Sequence, residues 1–166
     1  TPFFVEGWAL HWEMLFWDLG WHRGPEDRVG MLFWRMHRCA RIIVSLRFHL
    51  GQMSPKEMVA FLQQRVGLEK AGATSEVRRY IAGAYGPLYQ AAYMLGGLQL
   101  RALHHELVGG GQLSNRAFHD AVLREGSIPI EMIRAKLTRR KPKVGGPSTW
   151  RFYGDVSVQG AKPCPR

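Results

Sequence analysis

The sequence predicts an all-α fold followed by an irregular basic tail. Apolar residues recur at helical spacing through long stretches, and glycines, prolines and helix-capping residues separate these stretches. No segment sustains the alternation of apolar and polar residues that a half-exposed strand requires. A chain of 166 residues, 46% of them hydrophobic, suffices for one packed domain, so we expect a helical domain over residues 1–138 and a tail over residues 139–166.

The positions of these helix-breaking and helix-capping residues predict seven helices. The second begins at Pro25, since proline is tolerated at the first helical position and the acids after it complement the helix dipole. Ser54 and Glu57 form the capping-box pattern that starts the third, and Ser114 caps the sixth. The predicted helices cover residues 3–19, 25–50, 55–66, 75–82, 88–108, 115–125 and about 130–137.

The charge and the two cysteines limit the class of protein. The formal charge is +10, but the tail from Arg139 holds seven basic residues against a single aspartate, with few aromatic residues among them. We therefore interpret the tail as a solvated extension and expect no nucleic-acid binding, which would require stacking aromatics on a folded basic face. Two cysteines do not form a disulfide framework, and Cys39, within an apolar stretch, is predicted to lie in the core.

Localisation stays open from the sequence. The chain opens at Thr1 and shows no signal peptide, so its compartment is undetermined between cytoplasm and export. No apolar run reaches the roughly 18 residues that span a bilayer, so no membrane span is predicted. The oligomeric state is not indicated.

Glu6 is an acid within one of the most apolar stretches of the chain. A buried carboxylate stays ionised only beside a cation or several hydrogen-bond donors. Its chemistry alone allows two interpretations, an ion pair with an arginine of the second helix or a metal ligand. Glu13 lies seven residues later on the same helical face. It could hold Glu6 in position beside a metal, or it could form an ordinary ion pair.

Two helices carry polar lines on otherwise apolar faces. On the second helix, Arg38, Ser45 and His49 share one face, either as a substrate-facing line or as an ion-paired arginine and a core histidine. On the fifth, Tyr89 and Tyr93 share a face with Gln90 at its edge. Gly96 and Gly97 stand inside that helix, where each costs about 1 kcal/mol relative to alanine, so a close helix contact or substrate passage is expected.

Five segments, in order, resemble a bacterial gluzincin-like zinc peptidase family, long catalogued as a domain of unknown function and marked by an EGWALYAE signature. The resemblance covers roughly residues 3–137. The matching segments are Glu6-Gly7-Trp8-Ala9-Leu10-His11-Trp12-Glu13, Arg38-Cys39-Ala40-Arg41-Ile42-Ile43-Val44 with His49, Met53-Ser54-Pro55-Lys56-Glu57, Tyr89-Gln90-Ala91-Ala92-Tyr93-Met94-Leu95-Gly96, and Phe118-His119-Asp120 with Ile128-Pro129. His11 and Ser45 depart from the family's tyrosine and aspartate at those positions.

The resemblance implies a zinc site completed by residues outside this chain. In that family two histidines of an HExxH helix and the acid of the EGW segment bind the metal, so Glu6 is the implied third ligand and Glu13 supports it. No HExxH occurs here, and the implied histidines would precede Thr1. Helical gluzincins use tyrosines of a late helix to stabilise the oxyanion, which implies catalytic roles for Tyr93 and Tyr89. From the polar faces of their helices, His49, Arg38 and Gln90 are the candidate substrate-binding residues.

The function expected is therefore the C-terminal half of the catalytic domain of a zinc-dependent peptidase that hydrolyses peptide bonds with a metal-activated water. The partners implied are a peptide substrate and the half that carries HExxH, without which the chain should be inactive. A non-catalytic helical binding domain is the alternative, followed by a basic nucleic-acid-binding domain.

Overall fold

The computed structural model describes residues 1–141, 145 and 148–153. In this part of the chain the fold is all-α, with no strand. The helices are α1 (Pro2–Asp18), α2 (Pro25–His49), α3 (Pro55–Val66), α4 (Lys70–Ile81), α5 (Tyr89–His104), α6 (Asn115–Glu125) and α7 (Ile130–Leu137), with a π-helical turn at His105–Gly109 directly after α5. The predicted fold class is confirmed.

Local signals account for most helix boundaries. Ser54 and Glu57 form the complete capping box, in which the Ser54 hydroxyl accepts from the Glu57 N–H and the Glu57 carboxylate accepts from the Ser54 N–H. The hydroxyl of Ser114 caps α6 as predicted. The predicted start of α4 was wrong: the helix begins at Lys70, because Ala73 packs into the core, a tertiary effect that the polar local sequence did not indicate.

The chain divides into two compact units, Thr1–Gly97 and Leu98–Arg166. In the first unit, α2, α3 and α4 pack around one hydrophobic cluster. Its buried members are Ala40, Val44, Met58, Leu62, Val66, Ala73, Val77 and Tyr80. Cys39 is exposed, so its predicted place in the core was wrong. Ala40, the next residue, takes the inward position on α2, because adjacent residues of a helix point about 100° apart.

The second unit has its own small core. α6 packs on α7 and on the π-helical turn, and Leu107, Phe118, Val122 and Ile133 are almost fully buried. Glu106 holds this arrangement with Arg134, whose guanidinium donates to both carboxylate oxygens, at 2.7 and 3.1 Å.

Much of the predicted tail lies outside the described residues. Within the described part, the guanidinium of Arg134 lies over the ring of Trp150, 4.9 Å from the ring centroid. None of the helices described is long and apolar enough to cross a bilayer.

Candidate functional site

A close crossing of α1 and α5 in the first unit sets the geometry of the site. Gly7 of α1 meets Gly96 of α5 backbone to backbone: a Cβ added at Gly96 would run into the carbonyl oxygen of Phe3 and lie 3.0 Å from the Cα of Gly7. A Cβ at Gly97 would lie 2.8 Å from Leu10. The glycines within α5 therefore serve the close helix contact that the sequence predicted.

The crossing brings Glu6 to the hydroxyl of Tyr89. Glu6 precedes Gly7 on α1, and Tyr89 lies seven residues before Gly96 on the same face of α5. The Tyr89 hydroxyl donates to the Glu6 carboxylate in a very short hydrogen bond. This bond, together with burial and a hydrogen bond to Tyr93, raises the pKa of Tyr89 well above its usual range. The structure thus joins the predicted metal ligand to a predicted catalytic tyrosine.

No arginine of α2 pairs with Glu6. Arg38 forms its ion pair with Glu13, at 2.9 Å, and Arg41 forms its pair with Glu76, also at 2.9 Å. Glu13 is therefore an ion-pair acid, as one of its two interpretations held. Among the residues described, the group that bonds Glu6 is a neutral phenol rather than a cation.

Tyr93 extends the site along α5. Its ring meets the ring of Tyr89 edge to face, with centroids 5.8 Å apart. The Tyr93 hydroxyl accepts a hydrogen bond of 3.2 Å from Arg79, and the guanidinium of Arg41 lies over its ring, 5.0 Å from the centroid. Tyr85 stacks on Tyr89 at 4.3 Å. Tyr85, Tyr89 and Tyr93 thus form a tyrosine cluster, which contacts Glu6 through Tyr89 and two arginines through Tyr93.

Sequence reasoning missed the acid that holds these arginines. The Glu76 carboxylate accepts from Arg41 at 2.9 Å and from the Tyr80 hydroxyl at 2.5 Å, and lies 3.4 Å from Nε2 of His37. Burial raises the pKa of Glu76, but hydrogen bonds from His37 and Tyr80 and the charge of Arg41 outweigh it, so the pKa falls well below its ordinary value. The available signal was local, since Glu76, Arg79 and Tyr80 share one face of α4.

The predicted substrate-binding residues do not come together as a group. Arg38 is held by Glu13, and Ser45 donates to the carbonyl of Pro87 at 3.0 Å. His49 is exposed at the last position of α2, beside Phe48.

Gln90, the remaining substrate-binding prediction, is buried. It is 2% exposed, and neither its amide nitrogen nor its amide oxygen has a hydrogen-bond partner among the described residues. Such an orphaned amide costs about 1–3 kcal/mol. A direct contact between Gln90 and a substrate would require its neighbours to move.

The described residues alone do not fit a zinc site. No group of three or more histidine, cysteine, aspartate or glutamate side chains in the described part of the chain is placed to hold a metal ion. Glu6 could supply one carboxylate, whereas a catalytic zinc takes three protein ligands and a water. The chain can therefore supply one part of such a site.

Comparison with known proteins places the chain in one family. The family model described as a bacterial protein of unknown function (DUF885) matches residues 1–137. This region contains every predicted site residue. No curated protein and no solved structure matches the chain.

Proposed function

The chain belongs to the bacterial family of unknown function DUF885, and within it we propose that the chain supplies the C-terminal half of the catalytic domain of a zinc-dependent peptidase. The observation that carries the proposal is the pairing of Glu6 with Tyr89. Glu6 faces a phenol while Arg38 and Arg41 of α2 are paired with other acids, so its negative charge has no cation partner among the described residues. Glu6 is half-buried, and a metal bound beside it would supply a positive charge.

Glu6 is the ligand that this chain would contribute, and two histidines of an HExxH helix elsewhere in the polypeptide would complete the set. The chemistry that such a zinc would supply is a water activated as a nucleophile at neutral pH. The Tyr89 hydroxyl orients the Glu6 carboxylate by donating a hydrogen bond to it. Metal ligands are commonly oriented by such hydrogen bonds from residues that do not themselves touch the metal.

Tyr93 is the better placed of the two tyrosines to stabilise an oxyanion. The Tyr89 proton is already engaged by Glu6. The Tyr93 oxygen accepts from Arg79, and the positive charge of Arg79 makes the Tyr93 hydroxyl a stronger hydrogen-bond donor. Tyr93 would thus polarise the scissile carbonyl while Tyr89 holds Glu6 in place.

The test uses the full-length protein, with metal analysis and hydrolysis of a peptide library as readouts. Glu6→Gln should lower the zinc content and abolish hydrolysis, whereas Tyr93→Phe should keep the zinc and lower kcat by about 100-fold or more, the typical loss of one oxyanion donor. Glu26→Gln, at an exposed acid, is the matched control.

Two results would refute the proposal. One is a full-length protein that lacks an HExxH motif before Glu6. The other is unchanged zinc content and unchanged hydrolysis in Glu6→Gln. Peptide binding without any hydrolysis would instead favour a non-catalytic binding domain.

A further inference from the structure

Arg79 is a partly exposed cation at the edge of the tyrosine cluster. It lies in the last turn of α4, and 35% of its side chain is accessible to solvent. Its guanidinium donates to the Tyr93 hydroxyl at 3.2 Å and lies 5.6 Å from the ring centroid of Tyr85. One hydrogen bond uses only a fraction of the five N–H donors of a guanidinium, so Arg79 can still bind an anion.

The acid nearest to Arg79 is already neutralised by other groups. Arg79 lies 3.7 Å from Glu76, whereas Arg41 lies 2.9 Å from it and donates through two nitrogens. The groups that hold the pKa of Glu76 low are His37, Tyr80 and Arg41. Two arginines thus share one carboxylate, and the excess positive charge is on the arginine that reaches solvent.

Arg41 and Arg38 do not offer such a cation. Arg41 is 7% exposed, and its guanidinium lies over the ring of Tyr93. Arg38 is held by Glu13 at 2.9 Å. Arg78, next to Arg79 on α4, is exposed and serves as the control for a general charge effect.

We propose that Arg79 binds the free α-carboxylate of the peptide substrate, which makes this a site for peptide C termini. The inference rests on the proposed peptidase function and names the end of the substrate that the site selects. A guanidinium binds a carboxylate through two parallel hydrogen bonds, and the ring of Tyr85 limits the directions from which the carboxylate can approach. Through Tyr93, the same residue is linked to the hydroxyl that would polarise the scissile carbonyl.

The experiment compares two forms of one peptide on the full-length protein. The probes are N-acetyl-tetraalanine with a free carboxylate and the same peptide as its C-terminal amide. Binding is measured by isothermal titration calorimetry, in titrations that end before an appreciable part of the peptide is hydrolysed. Hydrolysis is followed by chromatography of the products, and its rate is expressed as kcat/KM. The variants are Arg79→Met, Arg79→Lys and the control Arg78→Met.

The wild-type protein should prefer the free acid over the amide by at least about tenfold, which is the effect of one charged hydrogen-bonded contact. Arg79→Met should remove the preference, Arg79→Lys should keep a part of it through a single hydrogen bond, and Arg78→Met should leave it unchanged. The same amide binding in Arg79→Met and wild type would show that the variant is folded and that only carboxylate recognition has changed.

Equal binding of acid and amide by the wild-type protein would overturn the inference, even if both peptides were hydrolysed. A preference lost equally in Arg78→Met and Arg79→Met would also overturn it, since the effect would then be general electrostatics. A protein that hydrolyses neither these two peptides nor any member of the peptide library, but prefers the acid through Arg79, would support the carboxylate site and count against the proposed peptidase function.

Discussion

Replacing Gly96 by alanine tests whether the close crossing of α1 and α5 builds the site. The new Cβ would run into the carbonyl oxygen of Phe3 and lie 2.9 Å from its carbonyl carbon. These are backbone atoms, so no rotamer change relieves the clash and the helices must separate. Overpacking of this kind costs about 1–3 kcal/mol, and the upper end applies here because the contact is rigid.

The helix propensity of alanine offsets a part of that loss. Gly→Ala inside a helix contributes up to about 1 kcal/mol of stability, so the net loss expected for Gly96→Ala is about 2 kcal/mol. For a chain of this length, such a loss lowers Tm by about 4–8 °C. Gly72→Ala is the matched control, because Gly72 is also helical but has no atom within 4 Å of its added Cβ. That variant should be as stable as the wild type or slightly more stable.

Thermal unfolding followed by circular dichroism at the helix band measures both variants. A second readout is the alkaline titration of Tyr89, since separated helices would lengthen its bond to Glu6 and let its pKa return toward the ordinary value. If Gly96→Ala proves as stable as Gly72→Ala and leaves the tyrosine titration unchanged, the crossing does not have the geometry described.

Three further predictions follow from the hydrogen bonds and ion pairs of the first unit. Glu6→Gln removes the charge that holds the Tyr89 proton, so the pKa of Tyr89 should fall toward 10.0, its ordinary value, as read by ultraviolet absorbance. Ser54→Ala removes the cap of α3 and should cost about 1 kcal/mol in chemical unfolding. Glu76→Gln strands the buried Arg41 without its charge partner and should cost about 3–5 kcal/mol. Because the folded pKa of Glu76 is depressed, its contribution is complete above the ordinary value of 4.5 and should be lost as pH falls below that value, a loss that Glu76→Gln should not show.

The fold was predictable because its signals are local. The capping box at Ser54 and the proline at the start of α2 each act within a few residues, and both boundaries agree with the structure. The start of α4 was missed because it depends on Ala73 reaching a core formed by other helices. The prediction that Cys39 lies in the core was wrong for a similar reason, because an apolar stretch of helix does not show which of two adjacent residues faces inward.

The site was only partly predictable because its partners are far apart in sequence. Tyr89 meets Glu6 across 83 residues. The residue pattern singled out each of them on its own helix, but only the family resemblance related the two to one site. Arg38 looked equally suitable as a substrate-binding cation until Glu13 proved to be its partner. The sequence shows that the arginines of α2 require acidic partners, but it does not show which arginine forms an ion pair with which acid.

The distribution of acids sets the charge at the two ends of the tyrosine cluster. Glu13 takes Arg38, and Glu76 takes the buried Arg41 at 2.9 Å while Arg79 stays at 3.7 Å. The Glu6 carboxylate therefore lies at one end of the tyrosine cluster, bonded to Tyr89, and the Arg79 guanidinium lies at the other end, bonded to Tyr93. A peptide C terminus has a matching arrangement, with a carboxylate for the cation and a neighbouring carbonyl for the tyrosines between. If the two ends are functionally linked, Arg79→Met should raise KM for the free acid more than it lowers kcat, whereas Tyr93→Phe should lower kcat at nearly unchanged KM.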